Sequence, residues 1–215
     1  MTSKKPAYIA IDVETTGLSA ENDHLLEVAV LLVAEDLSVI DMCHSLIVPQ
    51  SARESRSVDV LMEHCNEIVH QMHHDNALWG ELERDMDSLP SAAQFDTELH
   101  DMLTDNEVTG RLPLLGSSVD GIDRAMFEKN LPVTYSEFVS YRSVNVSSLL
   151  ELAERTFGMD SAQREQMVER VNTRADVVTE GFGVPNVKHR ALADIVFSLV
   201  SIDELLDFIG AARAL

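Results

Sequence analysis

The apolar run Ala7-Tyr8-Ile9-Ala10-Ile11 leads straight into Asp12 and Glu14, and the chain then turns on Thr15-Thr16-Gly17. Strand side chains at i and i+2 point to the same side of a sheet, so this spacing aims two carboxylates at one place. Adjacent anions repel, and the arrangement implies a positive partner between them.

The next apolar runs, Leu25 to Ala34 and Asp41 to Val48, are separated by the short polar link Glu35-Asp36-Leu37-Ser38, the pattern of antiparallel strands. From Val58 to Thr104 the pattern turns helical. Phe95, Leu99, Met102 and Leu103 form one face there, and Ser91-Ala92-Ala93-Gln94 reads as a capping box. Leu112 to Leu115 stops at Gly116-Ser117-Ser118 before a helical stretch from Ile122 to Asn130, and Val144 to Val146 leads into another, so both are expected as strand-to-helix units. The charged stretch 158–187, closing on Gly181, Gly183 and Pro185, reads as an insertion or mobile excursion with one helix near Arg164 to Val171. A last helix is expected from near Lys188, burying Leu192, Ile195, Val196, Leu199 and Ile202.

With 215 residues and 45% hydrophobic content, the chain supports one domain spanning 1–215. The formal net charge of -21 argues against an anionic membrane surface as partner, and against a long phosphate backbone held in a basic groove. Cys43 and Cys65 are too few for a disulfide framework and form no CxxC pair, which favours a reducing, cytoplasmic setting. Met1 to Pro6 shows no signal-like apolar core, and no run reaches transmembrane length.

Three separated segments carry carboxylates at element edges: Asp12 with Glu14, Asp123 in "SSVDGIDRAMF", and Asp194 in "KHRALADIVFSL". Such hard oxygen donors suit Mg²⁺ or Mn²⁺ rather than zinc. His189 lies five positions before Asp194, off the face of an ideal helix that Asp194 occupies, so it is expected in the preceding loop or at the first helical residue. His64, Cys65, His70, His73 and His74 invite a zinc reading but lack a second ligand pair at a recognised spacing.

"IDVETTGL", "GSSVDGIDRAMF" followed by "YRSVNVSSLLELAER", and "KHRALADIVFSLVSIDEL" resemble the three motifs of the DEDDh 3'-to-5' exonucleases, the last two specifically those of oligoribonuclease. The resemblance spans residues 9 to about 207. It implies an α/β RNase H-like exonuclease fold, with a central mixed sheet flanked by helices, that hydrolyses short oligoribonucleotides to nucleoside 5'-monophosphates. It makes Asp12, Glu14, Asp123 and Asp194 the ligands of two divalent cations, Mg²⁺ or Mn²⁺, and His189 the general base. It further implies that Leu18 wedges bases, that His73 in "MHHDNAL" lines the pocket, that Ser118, Tyr141 and Arg142 cap a 5' phosphate, and that the chain forms a homodimer. The useful cations, including Arg124, Arg142 and Lys188, lie close to the motifs.

On residue type alone, Leu18 also reads as a packed turn residue, Ser118 as a cap, and Tyr141 with Arg142 as a sealed strand edge. The chain departs from the family pattern with Asn145 where relatives carry Asp, Ser117 where they carry Asn, and Asn76-Ala77 where they carry Ser-Gly. Two other readings stay open: a DEDDh exonuclease acting on longer single-stranded DNA or RNA, and a nucleic-acid-binding protein of this fold without turnover.

Overall fold

β2 (Leu25–Ala34) is buried along its whole length, which explains why its sequence shows a continuous apolar run rather than an alternation. In the computed structural model, which describes residues 4–213, it lies inside a five-stranded sheet of order β3-β2-β1-β4-β5. β1 (Pro6–Thr15), β2 and β3 (Val39–Leu46) form the expected antiparallel meander. β4 (Leu112–Gly116) pairs with β1 in parallel, and β5 (Val139–Asn145) pairs with β4 in parallel, so the sheet is mixed. The reading of Met1, Thr2 and Ser3 as lacking a signal-like core concerns residues outside those described.

Strand alternation divides the core in two. Ile9, Ile11 and Val13 of β1 and Val28, Val30 and Leu32 of β2 face α5 (Ala92–Asp105), α6 (Ile122–Asn130) and α7 (Pro132–Phe138), where Phe95, Leu99, Leu103, Met126, Phe127 and Phe138 fill the layer. Ala10, Ala29, Leu31 and Val33 face the opposite way, onto α8 (Val146–Arg155), α9 (Ser161–Gly181) and α10 (Ala191–Arg213). A smaller cluster under α1 (Gln50–Ser55), α2 (Asp59–Met62), α3 (Glu67–Asp75) and α4 (Leu78–Asp85) packs Leu61, Leu78, Trp79 and Leu82 against Leu26 and Leu46.

The capping box forms as read: Ser91 Oγ accepts the Gln94 N–H, and the Gln94 side chain accepts the Ser91 N–H at 2.8 Å. The helix expected near 164–171 is longer. α9 runs 21 residues from a second capping box at Asp160 and Gln163, and buries Met167, Val171, Ala175 and Thr179 in the α10 layer. Its charged residues are the outer face of a packed helix: Arg170 and Arg174 reach across to Glu204 and Asp203 of α10. The last helix starts at Ala191, three residues later than expected, because His189 adopts a left-handed φ of 59° that helical backbone cannot follow. Among the described residues no helix is long and apolar enough to cross a membrane.

Candidate active site

The carboxyl ends of the parallel strands β1 and β4 lie side by side where the chain connections diverge to the two halves of the sheet, a place where open α/β sheets form crevices. Gly116, the last residue of β4, leaves room for this approach, since a Cβ there would sit 3.0 Å from the Ile11 carbonyl oxygen. Asp12 and Glu14 share the face of Ala10, so they point toward α10 while their neighbours Ile11 and Val13 point into the other core layer. The turn beyond them is built on Asp23: its carboxylate accepts Thr16 Oγ1 at 2.9 Å and the Ser19 N–H at 2.8 Å. Gly17 is required there, since a Cβ would come within 2.6 Å of Asp23 Oδ2.

Asp194, in the first turn of α10, completes a group with Asp12 and Glu14 whose ligand atoms all lie within 4.8 Å of one another. Asp123 enters from the first turn of α6, buried to 8% exposure. Burial raises Asp12 well above the usual carboxylate range, and the charges of Asp123, Glu14 and Asp194 push it further. Burial, with Asp194 and Glu27, raises Glu14 to about 8. Burial raises Asp123 to about 7 against the pull of the Val13 and Asp123 backbone N–H groups, and it raises Asp194 against the pull of His189. The nearest guanidinium does not answer this charge. Arg190 is committed to Glu27 by two contacts, 2.9 and 3.1 Å, and to Glu81 at 2.8 Å. Clustered oxygen donors whose neighbouring guanidinium is spent elsewhere fit a divalent metal. Among the described residues this is the one group of three or more His, Cys, Asp or Glu side chains able to share an ion, so the histidines and cysteine between His64 and His74 do not assemble a zinc site.

His189 stands in the loop before α10, its Nδ1 3.9 Å from Asp194 Oδ2, with 46% of its side chain exposed. The substrate-side candidates occupy different surroundings. Leu18 projects from the Asp23-built turn at 86% exposure, Ser118 lies exposed after β4 with its hydroxyl 3.4 Å from Ser147 Oγ, and Arg142 stacks over the exposed Tyr141 ring at 5.3 Å on edge strand β5. His73 is fully buried. Its Nε2 donates to the Thr15 carbonyl at 2.9 Å, its ring meets Trp79 edge-on, and its Nδ1 lies 3.9 Å from Glu14 Oε2, so it backs the first motif from inside the protein. Arg124 is turned inward as well: it holds Asp120 and donates to the Ser140 and Arg142 carbonyls, bracing β5. Beside His189, a groove of about 660 Å³ runs along α3, lined by Ile68, Gln71, Met72 and Lys188.

Three residues of this neighbourhood, Asp23, Glu27 and Arg190, escaped the sequence reading, and Asn76 entered it only as a departure from the family pattern. Glu27 left a signal, a lone charge inside the run "LLEVAVLLVA". It is fully buried; hydrogen bonds from His44 and Arg190 overcome burial and hold it below the usual range.

No family model matches the chain. Among curated proteins it is 33% identical to an oligoribonuclease of Cutibacterium acnes, covering 68% of this chain and 67% of that one. It is 30% identical to an oligoribonuclease of Leifsonia xyli over 94% of this chain and 84% of the relative, and 29% identical to that of Bordetella pertussis over 95% and 94%. Solved structures similar to it include a product-bound exonuclease I, with a TM-score of 0.59 at 11% identity, and E. coli exonuclease I with a dA16 oligonucleotide, with a TM-score of 0.58 at 13% identity. The chain covers 46% and 41% of those two chains, less than half their length, and this likeness concerns the fold alone.

The raised carboxylates set a pH dependence. Glu14 ordinarily ionises near 4.5 and here near 8, so the folded state binds the extra proton and its stability falls as pH rises through that window. In EDTA the melting temperature is expected to fall from pH 5 to 8.5, with a shallower slope in Glu14→Gln, and Mn²⁺ is expected to raise it most at the alkaline end. Scanning fluorimetry measures this; identical slopes for the two proteins would contradict the burial of that charge.

Proposed function

We infer the function from one fact, that the chain belongs to the oligoribonuclease family, together with the carboxylates at the end of β1: it is a 3'-to-5' exonuclease acting on short RNA. The observation that carries the reading is the convergence of Asp12, Glu14 and Asp194 from two distant segments, with Asp123 close enough to raise Asp12. In this proposal the four hold two divalent cations, Mg²⁺ or Mn²⁺, which when bound stabilise charge on the attacking and leaving oxygens of the phosphodiester. His189 takes the proton of the attacking water, a task for which imidazole suits neutral pH. Leu18 wedges the terminal bases, the α3 groove beside His189 receives a base against Ile68 and Met72, and Arg142 with Tyr141 and Ser118 holds the 5' phosphate. His73 acts on the substrate only through Glu14 and Thr15, given its burial. Residues 1–215 act as a single exonuclease domain, and the stretch 158–187 is an insertion that folds onto α10. Two unpaired cysteines fit a cytoplasmic setting.

Asp12→Ala is expected to abolish release of mononucleotides from 5'-labelled RNA while circular dichroism stays unchanged, and His189→Ala to lower turnover about 10² to 10⁴-fold. Activity in EDTA, or full turnover by either variant, would sink the assignment. Loss in both with undiminished RNA binding to the wild type in EDTA separates an enzyme from a binding protein.

Charge sets the preferred length. Each phosphate of a long strand needs a protein cation to replace its counterions, and a chain at -21 with Arg124 turned inward offers chiefly Arg142 and Lys188 near the site. An RNA of two to five nucleotides should therefore show a higher kcat/KM than one of twenty, with the gap widening as salt is lowered and repulsion is less screened. Equal use of the long strand at low salt, in a competition assay, favours a broader single-strand exonuclease.

We further propose a homodimer joined near β5, an edge strand that presents Tyr141 at 83% exposure. Light scattering should give twice the chain mass at micromolar concentration, and Tyr141→Ala should lower activity. A fully active monomer would refute it.

A further inference from the structure

The geometry points to Asn76 as a positioning residue for His189, an inference that rests on the assignment of His189 as the base. His189 holds a left-handed φ of 59°, a conformation that a residue with a Cβ keeps only when its surroundings impose it. The imidazole itself does not impose it, because 3.9 Å from Nδ1 to Asp194 Oδ2 is too long for a hydrogen bond and the ring is otherwise half exposed; Asp194 acts only on the N-terminal side, through the His189 backbone N–H. The constraint comes through the backbone. Asn76 Nδ2 donates to the His189 carbonyl across 113 residues of sequence, and the next residue, Arg190, is pinned to Glu27 and Glu81. The His189 peptide is thus gripped on its C-terminal side by two elements that belong to the α3–α4 hairpin and the sheet.

Asn76 is itself held in place. It is 8% exposed, its N–H donates to Met72 O at 3.1 Å, and its Oδ1 accepts the Leu78 N–H at 3.1 Å, so one amide closes the α3–α4 turn with its oxygen and reaches the His189 loop with its nitrogen. The turn pays for this grip in backbone strain: Ala77 sits at φ 65°, a position where the family pattern has Gly. The two jobs require a donor and an acceptor on separate atoms that point different ways, which the Asn amide supplies and a single hydroxyl does not. Without the Nδ2 bond, the His189 carbonyl loses its partner and the peptide, still tethered at Arg190, shifts toward ordinary φ, which moves the imidazole relative to the carboxylates. Misplacement of a reacting group by about 1 Å costs on the order of 10²-fold in rate.

The test uses the full chain with Mn²⁺ and a short 5'-labelled RNA. Asn76→Asp keeps the size and the acceptor that closes the turn and replaces the donor with an anion; Asn76→Ala removes both. Each is expected to lower kcat about 10- to 100-fold while KM changes less than about twofold. Asn76→Asp sets a carboxylate against the His189 carbonyl oxygen, so its melting temperature should fall by several degrees while circular dichroism at the assay temperature stays that of the wild type. In the His189→Ala background, adding Asn76→Asp should cost less than about threefold, because a residue acting through His189 has nothing left to act on. Additive losses in the double variant, or a raised KM with unchanged kcat, would overturn the inference. If Asn76→Asp is fully active while His189→Ala is not, this inference alone fails; if His189→Ala is fully active, the assignment beneath it fails.

Discussion

A single buried carboxylate joins the two halves of the candidate site. Glu27 sits in the middle of a strand that is otherwise apolar, directly opposite Glu14 in the β1–β2 register, with no exposure to solvent. A bare charge there would be prohibitive, and Glu27 survives because it is saturated: Arg190 takes both oxygens, His44 Nε2 meets Oε1 at 2.7 Å, and the Ala191 N–H reaches Oε2 at 3.2 Å. The last contact places an anion at the N-terminus of α10, where the helix dipole favours it. The start of α10 is therefore fixed to the sheet at one point, and His189 and Asp194 take their places one residue before Arg190 and four after it.

The same neighbourhood shows identical groups, both pushed up by burial, driven in opposite directions by their partners. Glu27 is held below its ordinary range by partners that use every lone pair it has, whereas Glu14, two positions after Asp12 on β1, is raised to about 8 by burial and then by the carboxylates of Asp194 and Glu27. Arg190 lowers Glu14 a little but is spent on Glu27 and Glu81. One buried acid is a structural anchor and the other a site that lacks its counter-charge, and the difference lies entirely in which cations the fold delivers to each.

Two of the departures from the family pattern, Asn145 and Asn76-Ala77, make sense as matched sets. Asn145 donates to Asp120 at 2.8 Å, beside Arg124 at 3.0 Å, so an Asp at 145 would set two anions against each other where an Asn supplies a hydrogen bond. Asp120 and Arg124 in turn brace the backbone of Ser140 and Arg142 on the edge strand. Asn76-Ala77 works in the same way, with a longer amide that reaches the His189 carbonyl and a turn residue held left-handed.

The sequence by itself determined the strand meander, the two strand-to-helix units, the capping box at Ser91 and the aim of Asp12 and Glu14 at one place, because these follow from period-two and period-3.6 patterning and from local capping chemistry. It placed His189 off the helical face of Asp194, since five residues overshoot a turn. Only the tertiary structure decided that residues 161–181 form a packed helix, whose apolar stripe of Met167, Val171 and Ala175 is sparse within a charged segment and becomes readable once α10 covers it. It likewise decided that His73 faces inward and that Arg124 serves the fold, because the direction of a side chain depends on which elements close around it. Glu27 with Arg190, 163 residues apart, and Asn76 with His189, 113 apart, are contacts between distant segments, and no local propensity records them.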